Sequence, residues 1–274
     1  VPTQDVRIDV ETVASGLDHP WAVLTLPGGA LLVTERSGAL RVVRDGEVSD
    51  PVSGLPDVAA RGQGGLLDIA LAKDFATSRT LFLSYSTSGD GGMGTAIARA
   101  RLSEDASALT DVEEIFRMNR FTGVGRHFGS RIAVAEDGTL FFSIGDRGDS
   151  ERAQDLGDHA GSVLRINPDG SVPEDNPFVD GGGAPEIWSA GHRNPQGMDF
   201  DPETGVLYAV EHGARGGDEV NRPQPGLNYG WPVVSYGVRY DGEDIGTGGA
   251  QAEGMAEPAY YWDPVIAPGD MLFY

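Results

Sequence analysis

The sequence predicts an all-β fold assembled from repeated blade-like sheets. Three observations carry that prediction: short β-rich runs recur, turn residues bound each of them, and together they repeat as a larger unit. The runs are Leu31-Leu32-Val33-Thr34, Leu40-Arg41-Val42-Val43, Thr80 to Tyr85 (TLFLSY), Thr139 to Ile144 (TLFFSI) and Val206-Leu207-Tyr208-Ala209-Val210. Each is flanked by Gly, Asp, Asn or Pro, the residues that punctuate short strands. Few stretches hold an apolar stripe at helical spacing over three turns.

The larger unit runs from small or apolar residues through a Pro-Gly, Asp-Gly or Thr-Gly turn into a hydrophobic strand. It occurs at Trp21–Arg44, Leu66–Ser86, Ser130–Gly145 and Gln196–Gly213. The starts lie roughly 45 to 65 residues apart, the period of propeller blades with loop insertions. A sandwich or barrel of unrelated hairpins is the competing architecture. Glu257 to Tyr274 opens a further unit, and Met271-Leu272-Phe273-Tyr274 reads as a strand. Because a propeller closes to protect its edges, the expectation is a single propeller domain over residues 1–274, cut short within its fifth blade.

Composition bounds the function. A chain of 274 residues with 39% hydrophobic residues can build a real core and is not a disordered segment. The net charge of −22 repels phosphate backbones and anionic lipid, which argues against a nucleic-acid binder. No run approaches the ~18–20 apolar residues of a membrane span. The opening Val1-Pro2-Thr3 has no basic-then-apolar leader and reads as a mature start or a cloned boundary. Cysteine is absent, so disulfides and thiolate metal sites are excluded, and an oxidising compartment fits.

Chemistry concentrates in three constellations. His127 lies in Gly125-Arg126-His127-Phe128-Gly129-Ser130-Arg131, where glycines admit a ligand and two arginines could hold an anion. His19 reads as a packing residue, and His159 and His212 are undecided. The second constellation, Gly191-His192-Arg193-Asn194-Pro195-Gln196-Gly197, is either a ligand-facing turn or one whose amides satisfy their own backbone. The third joins Glu211-His212-Gly213-Ala214-Arg215-Gly216-Gly217-Asp218-Glu219 to Asn228-Tyr229-Gly230-Trp231-Pro232. Its exposed carbonyls and carboxylates suit an oxygen-ligated ion such as calcium, without EF-hand spacing. The acidic stretch Gly145 to Ser150 reads as a solvated loop. No G-x-S-x-G elbow, P-loop, H-E-x-x-H or dinucleotide fingerprint occurs.

In order and spacing these motifs resemble the soluble aldose sugar dehydrogenases that use pyrroloquinoline quinone (PQQ), the glucose/sorbosone dehydrogenase family. The resemblance runs from Leu17-Asp18-His19-Pro20-Trp21 to the last residue. It takes in Gly62-Gln63-Gly64-Gly65-Leu66-Leu67-Asp68, His127-Phe128-Gly129, Asp175-Asn176-Pro177-Phe178, and the Arg193, Glu211 and Asn228 segments above. It implies a six-bladed β-propeller of the soluble quinoprotein glucose dehydrogenase type, with PQQ beside calcium at the channel mouth. By resemblance His127 matches the general base, and Asp146 a carboxylate that orients it. Gln63, Arg193, Asn194 and Tyr240 match positions that hold PQQ, with Arg126 and Arg131 as helpers. Gly213 and Ala214 match carbonyls that bind the cofactor calcium, while Glu219 and Tyr229 match a nearby calcium site. Ala214 replaces the family's usual proline, and the family's further Lys and Arg clamps fall beyond Tyr274.

The activity so implied is oxidation of the anomeric hydroxyl of aldose sugars to lactones by hydride transfer to PQQ, in a secreted or periplasmic enzyme. The electron acceptor and oligomeric state are not implied. The alternatives are a calcium-dependent propeller lactonase, with His127 acting on a metal-activated water, and a non-catalytic propeller that binds carbohydrate or protein.

Overall fold

The computed structural model describes residues 9–274; the opening Val1-Pro2-Thr3 lies outside the described residues. Among the described residues sixteen strands form four four-stranded antiparallel sheets, each in meander order. The first sheet holds β1 (Pro20–Thr25), β2 (Leu31–Glu35), β3 (Ala39–Arg44) and β4 (Glu47–Val48). The second holds β5 (Leu66–Leu71), β6 (Thr80–Gly89), β7 (Gly92–Leu102) and β8 (Leu109–Arg117). The third holds β9 (Ile132–Val134), β10 (Leu140–Ile144), β11 (Ser162–Ile166) and β12 (Ile187–Ala190). The fourth holds β13 (Pro195–Phe200), β14 (Leu207–Glu211), β15 (Asp218–Asn221) and β16 (Tyr260–Trp262). Helix is confined to one α-turn, α1 (Phe75–Ser78), and one 3-10 turn at Ser150–Gln154.

The sheets are propeller blades. The innermost strands β1, β5, β9 and β13 touch in sequence around the ring, and the apolar cores lie between neighbouring blades. Strand alternation explains how one strand serves two cores. On β6, Leu81 and Leu83 face the first-to-second-blade core beside Leu32, Leu40 and Leu66. Phe82, between them, faces the second-to-third-blade core with Ile97, Phe116, Leu140 and Phe142. Phe141, Val163, Met198 and Leu207 seal the third blade against the fourth.

Arg131 sits where the innermost strands converge. Its guanidinium donates to Asp68 of β5 at 2.9 Å and to the Gln196 carbonyl of β13 at 2.9 Å. It also lies 4.5 Å over the Trp21 ring of β1. One cation thus ties all four blades, since Arg131 itself leads into β9.

Two expectations need correction. Four blades, not six, are present among the described residues. Met271 to Tyr274 is not a strand, because no neighbouring strand offers it a ladder. Instead the segment lies along the fourth blade, where the Phe273 N–H donates to Asp199 at 3.2 Å and its ring meets Tyr208 edge-on. From the same tail, only Tyr260–Trp262 is a strand, and it serves as the outer edge of that blade. Among the described residues no helix is long and apolar enough to cross a membrane.

Candidate active site

The loops leading into β9, β11 and β13 and the segment after Asn228 enclose a cavity of about 530 Å³. That volume suits a small-molecule ligand. Gln63, His127, Asp146, Arg193, Trp231 and Tyr240 line it, so residues scattered over 178 positions of the sequence meet at one mouth. Ala214 lines it too, as do Arg126 and Arg239.

His127 and Asp146 form the chemical centre. The His127 Nδ1 lies 2.6 Å from Asp146 Oδ1, with the imidazole side chain 13% exposed and the carboxylate 3%. The same carboxylate accepts the Gly148 N–H at 2.7 Å and the Trp231 indole N–H at 2.9 Å. Burial alone would raise the Asp146 carboxyl, but His127, the Gly148 N–H and the Arg193 cation hold it below its ordinary 3.8. An ionised carboxylate only accepts, so Nδ1 carries the donated proton, and the neutral tautomer so held presents the Nε2 lone pair.

Gln63 reaches this loop from the second blade. Its Oε1 accepts the His127 backbone N–H at 2.7 Å, and its own N–H donates to the Gly125 carbonyl at 2.8 Å. Gly62 permits that approach. It has φ +65°, and a Cβ there would stand 2.3 Å from the Gly125 oxygen.

Arg193 is a cation at the mouth that makes no direct ion pair among the described residues, the nearby Asp146 acting on it only at a distance. Its guanidinium donates to the His212 carbonyl and the Tyr240 hydroxyl, both at 3.1 Å, and packs over Trp231 at 5.3 Å. These partners are a carbonyl, a phenol and a ring rather than a carboxylate. Its Nε is buried with no partner, an arrangement that favours a bound anion. The backbone beneath is fixed by Glu211, whose Oε2 accepts the Arg193 N–H at 2.6 Å and whose Oε1 holds His192 Nδ1 at 2.8 Å. Asn194 lies under the floor, where its Oδ1 accepts the Gly129 N–H at 3.2 Å.

The residues matched to calcium divide. The Gly213 and Ala214 carbonyls accept no hydrogen bond among the described residues, so both keep lone pairs for a cation. Glu219 lies apart from the cavity, paired across strands with Glu211. Burial, then the repulsion of Glu211, pushes its carboxyl up to about 8. Beside it, the Asn221 amide donates to Glu219 at 3.1 Å while the Asn221 Oδ1 is buried without a partner. Tyr229 has no free phenol: its hydroxyl donates to the Arg222 carbonyl and its ring stacks on His192 at 4.8 Å. Asp218 is also spent, accepting the N–H groups of Gly213, Ile266 and Ala267. Among the described residues, no group of three acidic or histidine side chains gathers to hold a metal.

Other expectations shift. The stretch Gly145 to Ser150 is no solvated loop, because Asp146 and Arg147 are buried in it. His19 is not a packing residue; its side chain is 67% exposed and pairs with Asp18. Arg131 is the hub between blades and does not line the cavity, whereas Arg126 does. His159 is buried against Phe116 and Glu186, and His212 bonds the Pro268 carbonyl, so neither faces the site. Trp231 stands in the third constellation without a role of its own, and the structure gives it one: its indole N–H fixes Asp146.

Known proteins resemble the chain along nearly its whole length. It is 46% identical over 272 residues to the aldose sugar dehydrogenase YliI of Escherichia coli (strain K12), covering 97% of this chain and 73% of that protein. The crystal structure of the soluble aldose sugar dehydrogenase from Escherichia coli in the apo-form superposes with a TM-score of 0.91 at 45% identity, over 94% of this chain and 76% of that one. The PQQ-bound form of aldose sugar dehydrogenase from Streptomyces coelicolor follows with a TM-score of 0.76 at 32% identity, over 92% and 70%. The profile of the family described as Glucose / Sorbosone dehydrogenase matches residues 17–274, and the chain belongs to that family.

Proposed function

We propose that the chain is a PQQ-dependent aldose sugar dehydrogenase that oxidises the anomeric hydroxyl of an aldose to the lactone. The observation that carries this reading is the juxtaposition, at one cavity, of an Asp146-oriented His127 and the Arg193 guanidinium with its unpartnered Nε.

The donor set suits the cofactor. PQQ is a tricarboxylate, and the cavity offers Arg193 with an unpartnered buried Nε, together with Arg126 and Arg239. Gln63, Arg193 and Tyr240 would hold it at the lining, with Asn194 supporting from below. When bound, PQQ supplies the two-electron acceptor for the hydride leaving C1. An oxygen-ligated calcium suits the free Gly213 and Ala214 carbonyls, with Glu219 and the backbone of Tyr229 as the basis of a second site.

The chain's own residues do the rest. His127 Nε2 takes the proton of the C1 hydroxyl, for which a neutral imidazole within hydrogen-bond reach is required. Asp146 stabilises the imidazolium that results, and Trp231 and Gly148 keep the carboxylate aimed. The Arg193 cation supplies positive field where negative charge develops, at no reorganisation cost because its carbonyl, phenol and indole neighbours already fix it. A cysteine-free chain accords with a secreted or periplasmic place of action.

The test is aldose oxidation by the full-length protein supplied with PQQ and calcium and an artificial electron acceptor. Turnover that requires both additions is expected. Failure to oxidise any aldose defeats the reading, and lactone hydrolysis without PQQ would replace it with the hydrolase alternative.

A further inference from the structure

The loop that carries His127 has no strand ladder to hold it. Residues 123–130 are irregular, and His127 itself takes φ +54°, a left-handed conformation that costs a non-glycine residue energy. Such a turn persists only if its surroundings over-determine it.

Following the backbone groups of the loop shows what does. The Gly125 carbonyl is taken by the Gln63 N–H, the His127 N–H by the Gln63 side chain, and the Gly129 N–H by Asn194. The Phe128 carbonyl accepts from the Thr95 and Ser130 hydroxyls and the Gly129 carbonyl from Gln196, while those of Val124 and Arg126, on the near side of His127, both accept from the guanidinium of Arg147, the former at 3.0 Å. Arg147 is fully buried, 0% exposed. Its guanidinium carbon lies 3.4 Å from the centroid of the Phe128 ring, so it grips the residues on both sides of His127.

This cation is costly. It makes no ion pair among the described residues, and its Nε is buried without a partner. Burial pushes the guanidinium down to about 9, which still leaves it charged at neutral pH. A buried charge without a carboxylate is retained only against a large desolvation penalty. Lysine could place a point charge there, but only the planar fork can bridge two carbonyls while stacking on a ring.

We infer that Arg147 is the positioning residue for His127: from beneath, its guanidinium clamps residues 124–128 in the turn from which the imidazole reaches Asp146. The inference rests on His127 being the base of the proposed reaction. Arg147 touches neither substrate nor cofactor and acts only through the loop. The charged groups at the His127 cavity are Asp146, Arg126, Arg193, Glu151, Arg239 and Asp241, and none of them substitutes for the clamp.

Two readouts test it. Long-range proton–nitrogen correlation spectra of histidine-labelled chain, with His127→Gln to identify the signals, report which His127 nitrogen bears the proton. The wild-type chain is expected to show Nδ1 protonated and Nε2 free. Arg147→Met and Arg147→Lys are both expected to give mixed tautomers. In enzyme supplied with PQQ and calcium, both should lower kcat about 100-fold with KM held within about twofold. Phe128→Leu, which removes only the stacking face, should give a partial loss of about tenfold, and it carries the test if Arg147→Met does not fold. Full rescue by Arg147→Lys would overturn the clamp in favour of simple charge. Wild-type tautomer and kcat in all three variants would overturn it entirely. Should the wild-type chain oxidise no aldose, the proposed function fails while the tautomer spectra still decide Arg147.

Discussion

Asp146 holds the His127 Nδ1 at 2.6 Å while its second oxygen is held by the Trp231 indole at 2.9 Å. The carboxylate is thus fixed at both ends, and the imidazole inherits that fixity. Asp146→Asn keeps the shape but removes the charge and one of the two acceptor oxygens: its single amide oxygen serves either His127 and Gly148 or Trp231, and when the amide NH2 turns to Nδ1 the imidazole proton moves to Nε2. The expected result is a kcat lower by about 10²–10⁴-fold with KM little changed, measured by steady-state aldose oxidation. Because Asp146 titrates below its ordinary 3.8, the pair contributes stability that is complete above that pH and is lost only as pH falls beneath it. A pH profile of wild-type kcat should therefore show no limb from Asp146 at pH 5.

Arg193→Lys keeps the charge but loses the donors that reach His212 and Tyr240. We expect PQQ to bind about 10- to 100-fold more weakly, read by calorimetry. Near-native thermal stability should accompany it, since the Glu211 contact is to the Arg193 backbone.

Glu219 gives a pH signature without any substrate. Its folded-state carboxyl titrates at about 8, against an ordinary 4.5. The folded chain keeps a proton that the unfolded chain releases, so its stabilisation is complete below pH 4.5 and is lost as pH rises through about 8. Thermal melts in chelator should show Tm falling between pH 5 and 8. Calcium should restore Tm at pH 8, and Glu219→Gln should flatten the slope.

Gly145 tests the backbone of the site. An added Cβ there would stand 2.5 Å from the His127 carbonyl oxygen and 3.0 Å from that of Arg193. Gly145→Ala is therefore expected to wedge the two apart, costing about 1–3 kcal/mol of stability and most of the activity. Chemical denaturation and kinetics on the same preparation would check both.

How far the sequence could be read follows from where its signals lay. The second strands of the blades announced themselves through runs such as Thr80 to Tyr85 of β6, because they are buried on both faces. The outer strands did not. β8 reads LTDVEEIFR, and its charges face solvent along an edge that needs no apolar pattern. β7, GMGTAIARARL, fills its crowded position with small side chains that carry little periodic signal. His127, Arg193 and Gln63 stood out by their company of glycines and their place in a family's order of motifs. Their contacts did not, since Gln63 and His127 are 64 residues apart and only the ring of blades joins them. Arg147 was hidden in an acidic stretch that composition assigns to water.

The Arg131 junction has a practical side. With Asp68, Gln196 and Trp21 all anchored on one guanidinium, the wedges share a common hub, and their angular pitch is set away from the rim. Exchanging the segment around Asp241 and Ile245 at the cavity rim, with Tyr240 and its bond to Arg193 kept, would leave that pitch alone. The rim can thus be remodelled while the hub keeps the geometry beneath it unchanged.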